Sequence, residues 1–417
     1  DLFNGCVNLK KVDLPSSMTT IRENAFANTA ITGLDLSTYA DNSLTIYEGA
    51  FSGCANLTSF DTSKVKLLCL YNTFANCTSL TSMEIGNKVQ LKAKYSSTSY
   101  FYNKAFTGSG LKNLTIDQNV LQSMFEGCES IETVILGSNV SQIGDSAFEK
   151  ATGLKAVDAS AVSELALKAD AFKGATSLKS FDLSKVKEIG KYAFQNCESL
   201  TNIGTLNGKI TSLLDYTFDG TGLTSFDLSA TNVTTLGSYV FRNSKLTSVV
   251  VPETITSVGN GVFSGCVDLR TVQFLAPVAK MSSSMFSGCT SLTSVTIGDS
   301  VKELGDSAFA NTALTAIDLK NVNKLGQKVF ENCTSLKSVT INAENIEVSS
   351  YGNTFMGVSG VQFVVPEGGK LSADGGILYA QVDVTDSDGK ITGTVNKLLV
   401  NLDNRKDVVV KEGTTQI

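Results

Sequence analysis

The chain has 417 residues, a formal net charge of -6 and 42% hydrophobic residues. That balance provides for a sizeable core and argues against a nucleic-acid partner, which needs a basic face. No apolar run approaches the ~20 residues of a membrane span. There is no His and no Trp, which removes the imidazole base of nucleophile pairs and the commonest metal ligand.

From the first residues onward one phrase recurs. Sixteen phenylalanines anchor it, from Phe3, Phe26, Phe51 and Phe74 through to Phe309, Phe330 and Phe355; 352 residues over 15 intervals give a mean spacing near 23.5. A fixed period of that size predicts a solenoid, in which each repeat buries its apolar side against its neighbours. Five or six residues after each Phe comes Leu or Ile, as at Leu57, Leu80, Leu178 and Leu292, a slot broken by Gly360. Three residues further the column is apolar throughout, from Val12, Leu34, Phe60 and Met83 to Phe363, and two further it is apolar again in most repeats. This alternation predicts one strand per repeat. A second apolar column lies five residues before the Phe, as at Ile21, Ile46, Ile143, Leu236 and Leu325, and predicts a second short extended piece. The fold class expected is a mostly β repeat solenoid with short turns and 3-10 segments: a right-handed stack of about sixteen ~23-residue repeats.

Outward positions on the strand carry Asp13, Asp35, Asp61 and Glu84 in the first four repeats, then Asp158, Asp182, Asp227 and Asp318. Carboxylates on adjacent strands repel by roughly 1 kcal/mol even in water. The column reads first as a solvated face that keeps strands from sticking. Its functional alternative is an acidic strip for a basic protein patch, a glycan or calcium.

The interval from Phe74 to Phe106 is 32 residues, nine longer than the common 23, and holds Tyr95, Tyr100 and Tyr102 among lysines. Insertions in a solenoid map to loops on one face, and aromatics are enriched at interfaces, so these tyrosines join the acidic residues as candidate ligand contacts. The alternative is a long loop that packs back on its own repeat.

Eight of the nine cysteines fall three residues after an anchor Phe, and Cys69 sits in the apolar column before Phe74. Those slots want small buried groups, which Cys supplies. With no C-x-x-C pair and no His, no zinc site and no cofactor is expected. Any disulfide is confined to Cys54–Cys77 or Cys266–Cys289, the only slots in adjacent repeats.

The repeat domain is expected over residues 1–366, a β-hairpin insertion over 367–405, and the start of a further repeat over 406–417. In the insertion, Gly376 to Ala380 and Asn396 to Val400 read as strands, and Asp388-Gly389 between them is a hairpin signal. The acidic residues there are too few for a calcium loop. Val410 to Ile417 repeats the pattern of Val251 to Val258. Both ends read as cuts through a longer array, without terminal caps.

The runs Ala193-Phe194-Gln195-Asn196-Cys197-Glu198-Ser199-Leu200 and Phe286-Ser287-Gly288-Cys289-Thr290-Ser291-Leu292-Thr293-Ser294-Val295-Thr296-Ile297 resemble the BspA-like, treponemal-type leucine-rich repeat. The resemblance implies an exported or cell-surface protein of bacteria or protist parasites. It implies adhesion to host matrix proteins or other cells, and no catalytic residues. Partners expected are therefore extracellular-matrix or other protein ligands, with a glycan-binding envelope module as the alternative.

Overall fold

The computed structural model describes residues 1–93, 104–342, 344, 346–348, 354–385, 391–401 and 414–416. The chain divides into two bodies, residues 1–210 with 216–222, and residues 211–215 with 223–417. Both are built from the same repeat.

In the first body the anchor rings form one column. Phe3, Phe26, Phe51, Phe74, Phe106, Phe125, Phe148, Phe172, Phe194 and Phe218 stack in succession, with centroids 5.0–5.7 Å apart and planes within 17°. In the second body Phe241, Phe263, Phe286, Phe309, Phe330 and Phe355 do the same at 5.3–5.9 Å. The rings from Phe26 to Phe355 are buried; Phe3, with a neighbour on one side, is half-buried. Burying a Phe side chain is worth ~1.5–3 kcal/mol, so this column alone fixes the register.

In the turns from Phe26 to Phe330 two residues are left-handed, two before and two after the Phe. The trailing position is Gly or Asn in every repeat but one, from Gly5, Asn28, Gly53, Asn76 and Gly108 to Asn332 and Gly357, with Lys150 the exception, and all have positive φ. Gly and Asn tolerate that conformation best. Alternate amides of each turn donate to the next turn's carbonyls, as Gly49 N to Tyr71 O at 2.9 Å, Phe51 N to Thr73 O at 3.0 Å and Gly53 N to Ala75 O at 2.8 Å.

The cysteines extend this ladder. Cys54, Cys77, Cys197, Cys266, Cys289 and Cys333 each donate from Sγ to the carbonyl of the preceding repeat's Phe, at 2.9–3.1 Å. In the same slot Thr29 and Thr221 bond their own repeat's Phe carbonyl, at 2.8 and 2.9 Å, and Thr312 meets Cys333 Sγ at 3.2 Å. All nine cysteines are thiols, and eight are buried. Cys6 departs from the expected burial: it is exposed, because its turn is covered by a neighbour on one side only.

Two parallel ladders run beside the turns. The longer strands pair in register, Ser82–Ile85 with Asn113–Ile116, Thr133–Leu136 and Ala156–Asp158 in the first body. In the second, Ser248–Val251, Thr271–Phe274 and Ser294–Ile297 pair in the same way, as do Ala316–Leu319, Ser338–Ile341 and Gln362–Val364. Side chains alternate between exposed and buried along most of them, as in Ser82–Ile85 and Ser248–Val251. Shorter strands, such as Lys280–Met281, Glu303–Leu304 and Lys324–Leu325, pair before the Phe turns.

The expected strand does not form in every repeat. At Asp35-Leu36-Ser37, Asp61-Thr62-Ser63, Asp182-Leu183-Ser184 and Asp227-Leu228-Ser229 the ladder gives way, and at the last three a 3-10 turn follows. There the Asp carboxylate takes the amide of the residue two further on. Such a local bond can compete with the strand ladder, but it does not break it everywhere: Asp158 and Asp318 make the same bond within the paired strands Ala156–Asp158 and Ala316–Leu319.

Beyond the last repeat strand, Leu371–Asp374, Ile377–Thr385 and Ile391–Asn401 form an antiparallel sheet, and Thr414–Gln416 adds to it in parallel. Phe363 N donates to Gly375 O at 2.9 Å, and Ile377, Leu378 and Tyr379 are buried. The sheet thus abuts the strand Gln362–Val364.

Candidate functional site

The acidic column divides by local chemistry. Asp35, Asp61, Asp158, Asp182, Asp227 and Asp318 each accept the backbone amide two residues on, at 2.8–3.0 Å. They are caps of the turn that follows. Asp35 also accepts the Ser37 hydroxyl at 2.7 Å. That hydroxyl bond first, and the Ser37 amide second, hold its carboxyl below the usual carboxylate range. Asp13 and Glu84 stand outside this pattern: Asp13 pairs with Lys11 at 3.1 Å, and Glu84 is exposed on the strand Ser82–Ile85.

Of the four acidic candidates, the fold brings two together. Asp61 and Glu84 line one cleft of about 430 Å³ with Asp41, Thr62 and Lys88. Asp13 and Asp35 are not part of it. Tyr95, Tyr100 and Tyr102 lie outside the described residues. Among the described residues no group of three or more Cys, Asp or Glu could hold a metal ion, and no helix is long and apolar enough to cross a membrane.

Charged side chains mostly pair across neighbouring repeats. Glu132 sits between Lys112 and Lys155, at 3.8 and 2.6 Å. Glu303 sits between Lys280 and Lys324, at 2.6 and 3.9 Å. Glu164 pairs with Lys187 at 2.9 Å and with Lys209; bonds from both ammonium groups, Lys187 first, lower its pKa to about 2.

The sequence pattern did not single out an aromatic feature in the leading left-handed column. Tyr192 and Tyr216 occupy it with φ of 59° and 58°, and their rings stack at 5.0 Å. Lys173 Nζ lies 5.5 Å from the Tyr192 ring centre. Left-handed backbone costs roughly 1–2 kcal/mol per bulky residue. The stack and the cation return about 1–2.5 kcal/mol together. The signal available in the sequence was Tyr two before the anchor in three consecutive repeats, at Tyr192, Tyr216 and Tyr239, where most other repeats carry Asn, Gly, Ser or Lys.

A β-solenoid with a period near 23, an internal Phe column and Leu-lined strands defines a leucine-rich-repeat protein. A family model described as BspA type leucine rich repeat region (6 copies) matches residues 1–98, 71–166, 165–289 and 268–366. The chain belongs to that BspA-type family. A leucine-rich repeat protein from Bacteroides ovatus is similar in fold, with a TM-score of 0.59 and 23% identity over 77% of this chain and 82% of that one. A leucine rich cell surface protein from Faecalibacterium prausnitzii matches at a TM-score of 0.40 and 17% identity, over 86% of this chain and 89% of that one. The pneumococcal vaccine antigen PcpA matches at 0.30 and 15%, over 84% and 72%. No curated protein sequence matches the chain.

Proposed function

We propose that the protein is a non-catalytic scaffold, displayed at the cell surface, that binds protein ligands such as host matrix proteins through the outward side of its strand ladder. One observation carries this reading: the buried columns are constant and the outward ones are not. Inside, Met83, Leu114, Val134 and Val249, Val272 and Val339 repeat one theme, all buried. Outside, Glu84, Thr115, Ile135 and Asp158 give way to Val250, Gln273, Thr296 and Asp318 on the equivalent positions. A fixed frame with a variable face is how repeat proteins build extended binding surfaces. Family membership supports surface display.

Binding to immobilised matrix proteins, read by surface plasmon resonance, tests the proposal. Asp13→Lys and Glu84→Lys reverse charge without touching a cap. Asp35→Asn and Asp61→Asn remove charge while an amide oxygen remains to hold the turn. Tyr95, Tyr100 and Tyr102 to Ala probe the insertion. A ligand whose affinity is indifferent to all of these, or no matrix ligand at all, sinks the reading.

A further inference from the structure

Three consecutive Phe turns, at Phe26, Phe51 and Phe74, carry Asn24, Gly49 and Asn72 in the leading left-handed position, with φ of 50°, 62° and 54°. A cleft of about 400 Å³ lies at these turns, with Asn24, Gly49 and Asn72 in its lining. That volume falls within the ~300–1,000 Å³ of small-molecule sites. The Asn24 carboxamide lies over Gly49, in the space a Cβ there would need. Glu23, Glu48, Ser52 and Tyr71 complete the lining. At the matching Gly261 in the second body the Tyr239 ring takes the corresponding space, so the carboxamide wall is not a necessary product of the repeat.

We propose that this cleft is a carbohydrate site, built for one neutral or amino-sugar ring. Carboxylate and carboxamide groups supply planar sets of acceptors and donors suited to neighbouring hydroxyls, and Tyr71 supplies the aromatic surface for a sugar's C–H face. Glu48 is only 7% exposed, so an apolar guest would strip water from a carboxylate and give nothing back. No Lys or Arg lines the cleft, so the two carboxylates repel uronates, sialosides and phosphates. The walls are fixed before any ligand arrives: Asn24 N donates to Glu48 O at 3.0 Å, Gly49 N to Tyr71 O at 2.9 Å and Ser52 N to Gly49 O at 2.9 Å. Such pre-organisation lowers the cost of binding.

The full chain is tested by saturation-transfer NMR with methyl glucoside, N-acetylglucosamine, glucosamine, glucuronate and putrescine as probes. Transfer is expected to the neutral and amino sugars and not to glucuronate. Ser52→Phe, which fills the cleft from its half-buried rim, should abolish it, and Tyr71→Ala should weaken binding about tenfold. Glu23→Lys, at an exposed position, should shift preference from glucosamine toward glucuronate with an unchanged melting temperature. No transfer to any sugar overturns the proposal. So does transfer that all three variants leave intact, or putrescine bound as well as glucosamine, which would make this a plain amine site. Matrix-protein binding through the strand face is read separately and stands or falls on its own.

Discussion

The side-chain carboxamide of Asn28 lies where a methyl group on Gly53 would sit, one repeat further along the chain. The same relation joins Asn76 to Gly108, Asn196 to Gly220 and Asn243 to Gly265. Each glycine thus meets two demands, a positive φ and room for its neighbour's amide.

Gly53→Ala should therefore cost more than backbone strain alone. The left-handed term is roughly 1–2 kcal/mol, and displacing the Asn28 carboxamide adds to it. Asn28→Gly keeps the conformation and should change stability by only a few tenths. Urea unfolding midpoints of the two variants decide this; equal midpoints would show that the contact carries no weight.

Phe194 has rings at 5.5 and 5.7 Å on its two sides, whereas Phe3 has one, at 5.4 Å, and is half-buried. Phe194→Ala should cost ~3–5 kcal/mol because a cavity remains, and Phe3→Ala clearly less. Similar losses in chemical denaturation would contradict the stacked column.

In the native protein only Cys6 should react quickly with maleimide, since the other eight thiols are buried. Nine thiols should titrate after denaturation without reductant. Rapid native labelling of several cysteines would show the ladder of thiol-to-carbonyl bonds to be absent.

The thiols and carboxylates set opposite limits on pH. Burial raises the pKa of Cys54, Cys77, Cys128, Cys197, Cys289 and Cys333 above 9.0, to about 11 for Cys128. The unfolded thiols ionise first, so stability is full below about pH 9 and falls as pH rises through the folded values. Carboxylates run the other way. Hydrogen bonds lower Asp35, Asp41 and Asp158 below 3.8 and Glu132 and Glu164 below 4.5, Glu164 to about 2. Their contribution is present above those ordinary values and lost as pH falls through the folded ones. Unfolding midpoints followed from neutral to alkaline pH, and separately to acid, should trace both limbs; a flat alkaline limb would mean the thiols are solvated.

Most of the frame could be read from spacing, because a residue that must be buried at one phase of a period leaves a column. Phe26 to Phe355, the Leu slot and the Cys slot all do so. Asp35 and Asp182 were legible only as acidic, since a cap and a charged strip use the same residue. Ser two positions on does not separate them either, since Asp158, followed by Ser160, ends the paired strand Ala156–Asp158. The pairing of Asp61 with Glu84 in one cleft, and the cleft at Gly49, depend on which neighbours meet across repeats. A column read alone does not hold that information.

The strands before the Phe turns place Lys280, Glu303, Lys324 and Glu347 side by side in register, and Gly5, Asn28, Gly53, Asn76 and Gly108 alternate along the turns. Structurally the period is near 23 residues, but over these stretches the chemistry returns only every second repeat, whereas elsewhere in the turn column Gly265 stands beside Gly288 and Asn311 beside Asn332. Duplicating one repeat here would set two ammonium groups, or two carboxylates, ~4.8 Å apart, and would put like beside like where Asn now reaches over Gly. Duplicating two would leave every pairing intact. Within these stretches growth by gene duplication is thus favoured in pairs, and an odd insertion there calls for a compensating charge change in the neighbouring repeat.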